Sequence, residues 1–134
     1  MTITEEKESL RDLAIDAYHN GDNNEAIKLF TKIINIGKPT CDILFRRGFC
    51  FFNLEDFEST IIDCSKAIEL NGGVFYADSI YFQIRGASKY ILTDFHGAIE
   101  DYSKSIENKE ISLSAKSEDD FYKQFYEEKS FNYV

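Results

Sequence analysis

Histidine, proline and basic charge are all scarce in this chain, and each shortage removes a class of function. Among 134 residues the two histidines are His19 and His96, and neither has a second histidine within helical reach. The usual zinc-ligand spacings are therefore missing, and both imidazoles are expected at the surface. No glycine-rich phosphate loop, G-x-S-x-G elbow or H-E-x-x-H is present. Lysine and arginine total 15 against 24 acidic residues, a net charge of −9 with pI near 4.7. That balance disfavours duplex DNA, RNA or an anionic membrane surface as the main partner, whereas a basic or neutral peptide is electrostatically easier. No apolar run approaches a membrane span and no charged, apolar leader precedes the first helical pattern, so the expected compartment is the cytoplasm. The three cysteines, Cys41, Cys50 and Cys64, show no C-x-x-C spacing, as free thiols in a reducing compartment would. Cys64 is expected to be buried and inert, and Cys50 nucleophilic only where something lowers its pKa. The expectation is a protein that is not an enzyme and has no metal and no cofactor.

One proline and seven glycines suit helices joined by short turns, and 43% hydrophobic residues are ample for one core. From Leu44 to Phe57 the bulky residues Leu44, Phe51 and Leu54 fall on one helical stripe with a gap at Gly48. Asp56 can cap a second helix, with Ile61, Ile62, Ala67 and Ile68 recurring at helical spacing. A small residue midway along the first helix lets the second approach closely. Gly86 follows Gly48 by 38 residues and Ala14 precedes it by 34, and Ala26, Thr60 and Ala98 repeat the same two spacings. Internal similarity at this period marks a stacked helical repeat.

With these residues in view the chain resembles the tetratricopeptide repeat family. The first unit matches through Leu10, Leu13-Ala14, Ala26 and Phe30, with Ala17 where an aromatic is usual. The second offers Leu44, Arg47-Gly48 and Phe51 but departs at Thr60 and Cys64; the third offers Phe82, Arg85-Gly86, Ala98 and Tyr102, departing at Lys89. The resemblance implies an all-α fold, a right-handed α-solenoid of three helical hairpins plus a C-terminal capping helix. The expected repeats span about 7–39, 41–73 and 75–110, with a connector and capping helix over about 109–134.

Helix ends can be read in places. Thr2 and Glu5 form a capping box, Gly21 ends the first helix, and Asp22, Thr40, Asp56 and Asp94 are candidate caps. Four extra residues after Asn71-Gly72-Gly73 either lengthen the loop or start the fifth helix a turn early, near Val74 to Ala77. Ser117 to about Lys129 carries Phe121, Tyr122, Phe125 and Tyr126, which would cap the stack or mediate self-association. Arg47 and Arg85 are each followed sixteen residues later by an aspartate, Asp63 and Asp101, where the first unit has Leu13 and Leu29. Arginine travels with aspartate and leucine with leucine, which predicts that these positions face each other within each hairpin.

By the resemblance, the first helix of each hairpin lines a concave face that holds a peptide or partner helix. The corresponding residues here are Arg11, Ile15 and Tyr18, then Phe45, Arg46, Phe49, Phe52 and Asn53, then Gln83, Ala87, Tyr90 and Ile91. Phe45, Phe49 and Phe52 stand at i, i+4 and i+7, a second apolar face on a helix that needs only one for stacking. The expected function is a non-enzymatic protein-interaction module with a protein or peptide partner. A dedicated masking protein, such as an immunity protein or secretion chaperone, is the second reading. Family members that clamp the C-terminal carboxylate of heat-shock chaperones use five polar residues on these helices. The matching positions hold Arg11, Ile15, Arg46, Ile80 and Ile84, so that particular clamp is not expected.

Overall fold

A computed structural model describes residues 2–72 and 78–114, and among them there are helices and no strands. The helices are α1 (Ile3–His19), α2 (Asn23–Ile36), α3 (Cys41–Asn53), α4 (Phe57–Leu70), α5 (Ser79–Ile91) and α6 (Phe95–Ser114). Each packs chiefly on the next in the chain, with α3 also meeting α5, which makes three hairpins stacked in series.

The same turn closes all three hairpins. The backbone N–H groups of Asp22, Asp56 and Asp94 donate to the carbonyls of Ala17, Phe51 and Lys89 at 2.8–2.9 Å, closing the last turn of α1, α3 and α5. The residue just before each aspartate is left-handed: Gly21 at φ 77°, Glu55 at φ 63° and Thr93 at φ 68°. Each aspartate then caps the following helix, its carboxylate accepting from the N–H of Glu25, Ser59 and Gly97 in turn. The Thr2–Glu5 capping box forms at the start of α1. Thr40 occupies the N-cap position of α3 without capping it, because its hydroxyl donates to Asp42 at 2.6 Å instead.

The core is built from small and bulky residues in alternation. Ala14, Ala26, Phe30, Ile33, Ile43 and Cys50 are buried where α1, α2 and α3 meet. Leu44, Ala67, Ile68, Tyr81 and Phe82 form a second cluster between α3, α4 and α5. A Cβ on Gly48 would lie 3.0 Å from that of Asp63, and one on Gly86 would lie 3.1 Å from that of Asp101, so both glycines sit at a close approach. Thr60 tolerates full burial because its hydroxyl donates to the carbonyl of Asp56 at 2.9 Å. Two expected core residues lie outside: Leu54 caps the end of α3 and is 43% exposed, and Ile62 on α4 is 67% exposed.

The arginine–aspartate pairs form in both hairpins where they were expected. Arg47 Nε and Nη2 donate to the two carboxylate oxygens of Asp63, each at 2.8 Å, and Arg85 does the same to Asp101 at 2.8 and 2.7 Å. The remaining nitrogen of each guanidinium reaches back to the preceding hairpin, Arg47 to Thr31 at 3.2 Å and Arg85 to Ser65 at 3.1 Å. Each arginine therefore ties its own two helices and the previous hairpin together. The first hairpin has no described hairpin before it, and there Leu13 is 54% exposed while Leu29 is buried.

The described part of α5 begins at Ser79, 38 residues after the start of α3, and the choice between a longer loop and an early start near Val74 to Ala77 falls on residues outside those described. One expectation about the ends changes. α6 continues past Asn108 to Ser114, through most of the expected connector. The expected capping helix from Ser117 lies outside the described residues.

Candidate functional site

Three first helices, α1, α3 and α5, meet along one face through aromatic and charged side chains. Tyr18 on α1 packs edge-on against Phe49 of α3 at 6.2 Å between ring centroids. Phe45 of α3 lies 4.7 Å from Tyr81 of α5. Along α3 the rings of Phe45, Phe49 and Phe52 follow one another at 6.1 and 6.3 Å, and Phe52 continues to Phe57 at 5.5 Å. Helical spacing creates this row, since i, i+4 and i+7 fall on one face. The rings touch each other, yet Phe45, Phe49 and Phe52 all remain only half-buried.

At one end the row opens into a cleft of about 290 Å³ lined by Tyr18, Asp42, Phe45, Arg46, Asp78, Ile80 and Tyr81. Arg11 crosses from α1 to Asp42 at 2.6 Å, so its charge is already engaged. Burial pushes the Asp42 carboxyl up, but hydrogen bonds from Thr40 and Arg11 and the charges of Arg11 and Arg46 outweigh it, leaving it below the ordinary carboxylate range. The Arg46 guanidinium lies 5.7 Å from the Tyr18 ring, and its Nη1 is buried with no hydrogen-bond partner among the described residues. Burial raises the Tyr18 phenol, helped by Cys50 and opposed by Arg46. The Tyr81 hydroxyl is raised further by burial, by Cys41 and by the negative charges of Asp78 and Asp42.

Arg11, Tyr18, Phe45, Arg46, Phe49 and Phe52 thus lie in one continuous strip, with Ile15 half-buried on α1. Asn53 is used elsewhere, its amide donating to Asn23 at 3.2 Å. On α5, Gln83 is exposed and Ala87 half-buried, while Tyr90, 58% exposed, places its ring 5.3 Å from that of Phe95. Sequence reasoning missed Tyr81, Asp42 and Asp78. Tyr81 is in register with the core residue Ile43, so its ring is legible only as packing. Asp42 had a readable signal, an acid one turn before Arg46 on the same face.

The two buried thiols, Cys50 and Cys64, are held in the protonated form. Burial pushes Cys50 up to about 11, and burial with the charge of Asp63 pushes Cys64 up to about 12. His19 and His96 are both exposed, the latter 3.0 Å from Glu100. Among the described residues no group of three or more potential ligands could hold a metal, and no helix is long and apolar enough to cross a membrane.

No family model matches the chain. It is 30% identical over 119 residues to RNA polymerase II-associated protein 3 of Xenopus tropicalis, covering 88% of this chain but 18% of that protein. It is 32% identical over 97 residues to Hsc70-interacting protein 1 of Drosophila melanogaster, covering 72% of this chain and 25% of that one. The chain therefore spans a quarter or less of these relatives' length. Among solved structures it is similar to the second tetratricopeptide domain of Spaghetti bound to the HSP90 peptide SRMEEVD, with TM-score 0.68 at 22% identity over 76% of this chain and 85% of that one. It is similar also to the Arabidopsis OM64 tetratricopeptide domain, with TM-score 0.71 at 20% identity over 80% and 85% of the two chains. The fold of this chain is that of the tetratricopeptide repeat.

Proposed function

We propose that this chain, a stack of three tetratricopeptide-type hairpins, is a protein-interaction module that holds an extended peptide or helix of a partner along the row Phe45-Phe49-Phe52. The observation that carries this reading is that row, half-buried and continuous with a cleft in which Arg46 Nη1 has no partner among the described residues. Burying a phenylalanine ring is worth roughly 1.5–3 kcal/mol. Two or three rings thus supply much of the roughly 8 kcal/mol of a micromolar complex, before ordering costs. A similar fold has been solved with a peptide bound, which supports a peptide-binding role. The raised thiols support a binder over a thiol enzyme, and the expected compartment is the cytoplasm.

The test is a peptide-array screen with wild type and Phe49→Glu, each checked for helicity. The reading expects a set of peptides held by wild type at micromolar affinity and lost with Phe49→Glu. Binding that is indifferent to Phe49→Glu, or no binding at all, overturns it. Self-association through the aromatic segment around Phe121 and Phe125 concerns residues outside those described.

A further inference from the structure

The polar groups of the cleft are arranged unevenly, and this bears on the chemistry of the occupant. Four charged side chains are involved: Arg11, Arg46, Asp42 and Asp78. Arg11 and Asp42 are paired at 2.6 Å. Arg46 is turned toward Tyr18, at the α1 side of the cleft. Asp78 lies at the α5 side, is exposed, and makes no ion pair among the described residues. Next to it stand the apolar side chain of Ile80 and the ring of Phe45, under which the buried ring of Tyr81 lies tilted at 4.7 Å. Both carboxylates raise the pKa of the Tyr81 hydroxyl, after the larger effects of burial and Cys41. The cleft therefore has an α1 end that carries the Arg46 charge and an α5 end that carries the Asp78 charge beside the Phe45 ring.

An acidic side chain meets one uncommitted cation here, Arg46 at the α1 end, because Arg11 is already engaged, and it meets none at the α5 end, where the positions facing the cleft are Ile80 and Asp78. A cationic side chain, in contrast, meets the exposed Asp78 carboxylate and the half-buried Phe45 ring, which attract it through charge and quadrupole. The net charge of −9 adds a long-range preference of the same sign.

Resting on the peptide-binding reading above, we infer that the groove selects a neutral-to-basic peptide: a Lys or Arg side chain enters beside Asp78 and Phe45, and apolar residues run along Phe49 and Phe52. The charge preference is opposite to that of the SRMEEVD peptide held by the similar Spaghetti domain. Asp78 is the specificity-determining residue, and it is an exposed side chain whose replacement leaves the core untouched.

The experiment uses fluorescein-labelled heptapeptide pools on one apolar frame, with Lys, Gln or Glu at a scanned position, together with SRMEEVD itself. Binding is followed by anisotropy at two salt concentrations for wild type, Asp78→Lys and Phe49→Glu. The expected result is a preference of about tenfold for the best Lys pool over the matching Glu pool. That preference weakens in salt, disappears or reverses in Asp78→Lys, and all binding is lost in Phe49→Glu. A Glu pool or SRMEEVD bound best by wild type, or a Lys preference unchanged in Asp78→Lys, overturns the charge assignment, and loss in Phe49→Glu then still leaves the groove as the site. Failure of every pool, or binding untouched by Phe49→Glu, overturns the underlying reading as well.

Discussion

Replacing Arg47 by leucine should cost more stability than replacing Arg85, although the two arginines make the same bidentate contact. Asp63 and Asp101 are almost wholly buried, with side chains 3% and 2% exposed, and neither can stay charged and unpaired at low cost. Removing the cation from a buried pair costs about 3–5 kcal/mol. Asp101, however, has a second cation, Lys89 Nζ at 3.1 Å, and the matching position in the second hairpin is Phe51, whose ring stacks on Arg47 instead. Arg47→Leu is therefore expected near the upper part of that range, and Arg85→Leu lower by about 1–2 kcal/mol, the scale of a charged hydrogen bond. The double replacement Arg47→Leu/Asp63→Leu reproduces the Leu13–Leu29 pair of the first hairpin and should recover about 2 kcal/mol or more of the single loss. Urea unfolding followed by circular dichroism, with a double-mutant cycle at each pair, measures all of this. Single losses that add to within about 0.5 kcal/mol would refute the coupling. Equal costs at Arg47 and Arg85 would refute the role given to Lys89.

The other expectations come from turns, close approaches and thiols. Thr93 is a β-branched residue at φ 68°, so Thr93→Gly should stabilise by about 1 kcal/mol in the same assay, and a loss would show that its side chain matters more than its backbone. Gly48→Ala gains about 1 kcal/mol in helix propensity but drives a methyl to 3.0 Å from Asp63 Cβ, with a net loss of about 1 kcal/mol expected in thermal melts. Because the Cys50 and Cys64 thiols titrate above their ordinary value of 9.0, the unfolded chain sheds those protons first as pH rises. Their contribution is thus complete below pH 9 and is lost on climbing toward about 11 for Cys50 and about 12 for Cys64, so the alkaline fall in the urea midpoint should shrink in Cys50→Ala/Cys64→Ala relative to its own value at pH 8.

Periodic features were the legible part of this fold. The small residues Ala14, Gly48 and Gly86 mark where two backbones close on each other, and that constraint recurs at each repeat whatever the neighbours are. The Arg47–Asp63 and Arg85–Asp101 pairs were readable because covariation within one chain substitutes for comparison between chains. Ile62 misled because its spacing fits a helical stripe, and spacing alone does not say which side of α4 the next hairpin covers. Thr40 misled because a competing acceptor, Asp42, stands two residues on. The groove was half-readable for the same reason. The Phe45-Phe49-Phe52 row is a property of one helix, whereas the cleft depends on Asp78 and Tyr81, which come from another helix after a longer connection.

The most direct measurement of where a partner is held is an NMR titration of labelled protein with the best peptide from the array, tracking aromatic and amide resonances together. The account predicts saturable shifts concentrated on Tyr18, Phe45, Arg46, Phe49, Phe52 and Tyr81. Shifts concentrated instead on the outward side of α4 and α6, around Ile62, Ile99 and Ile106, would contradict it.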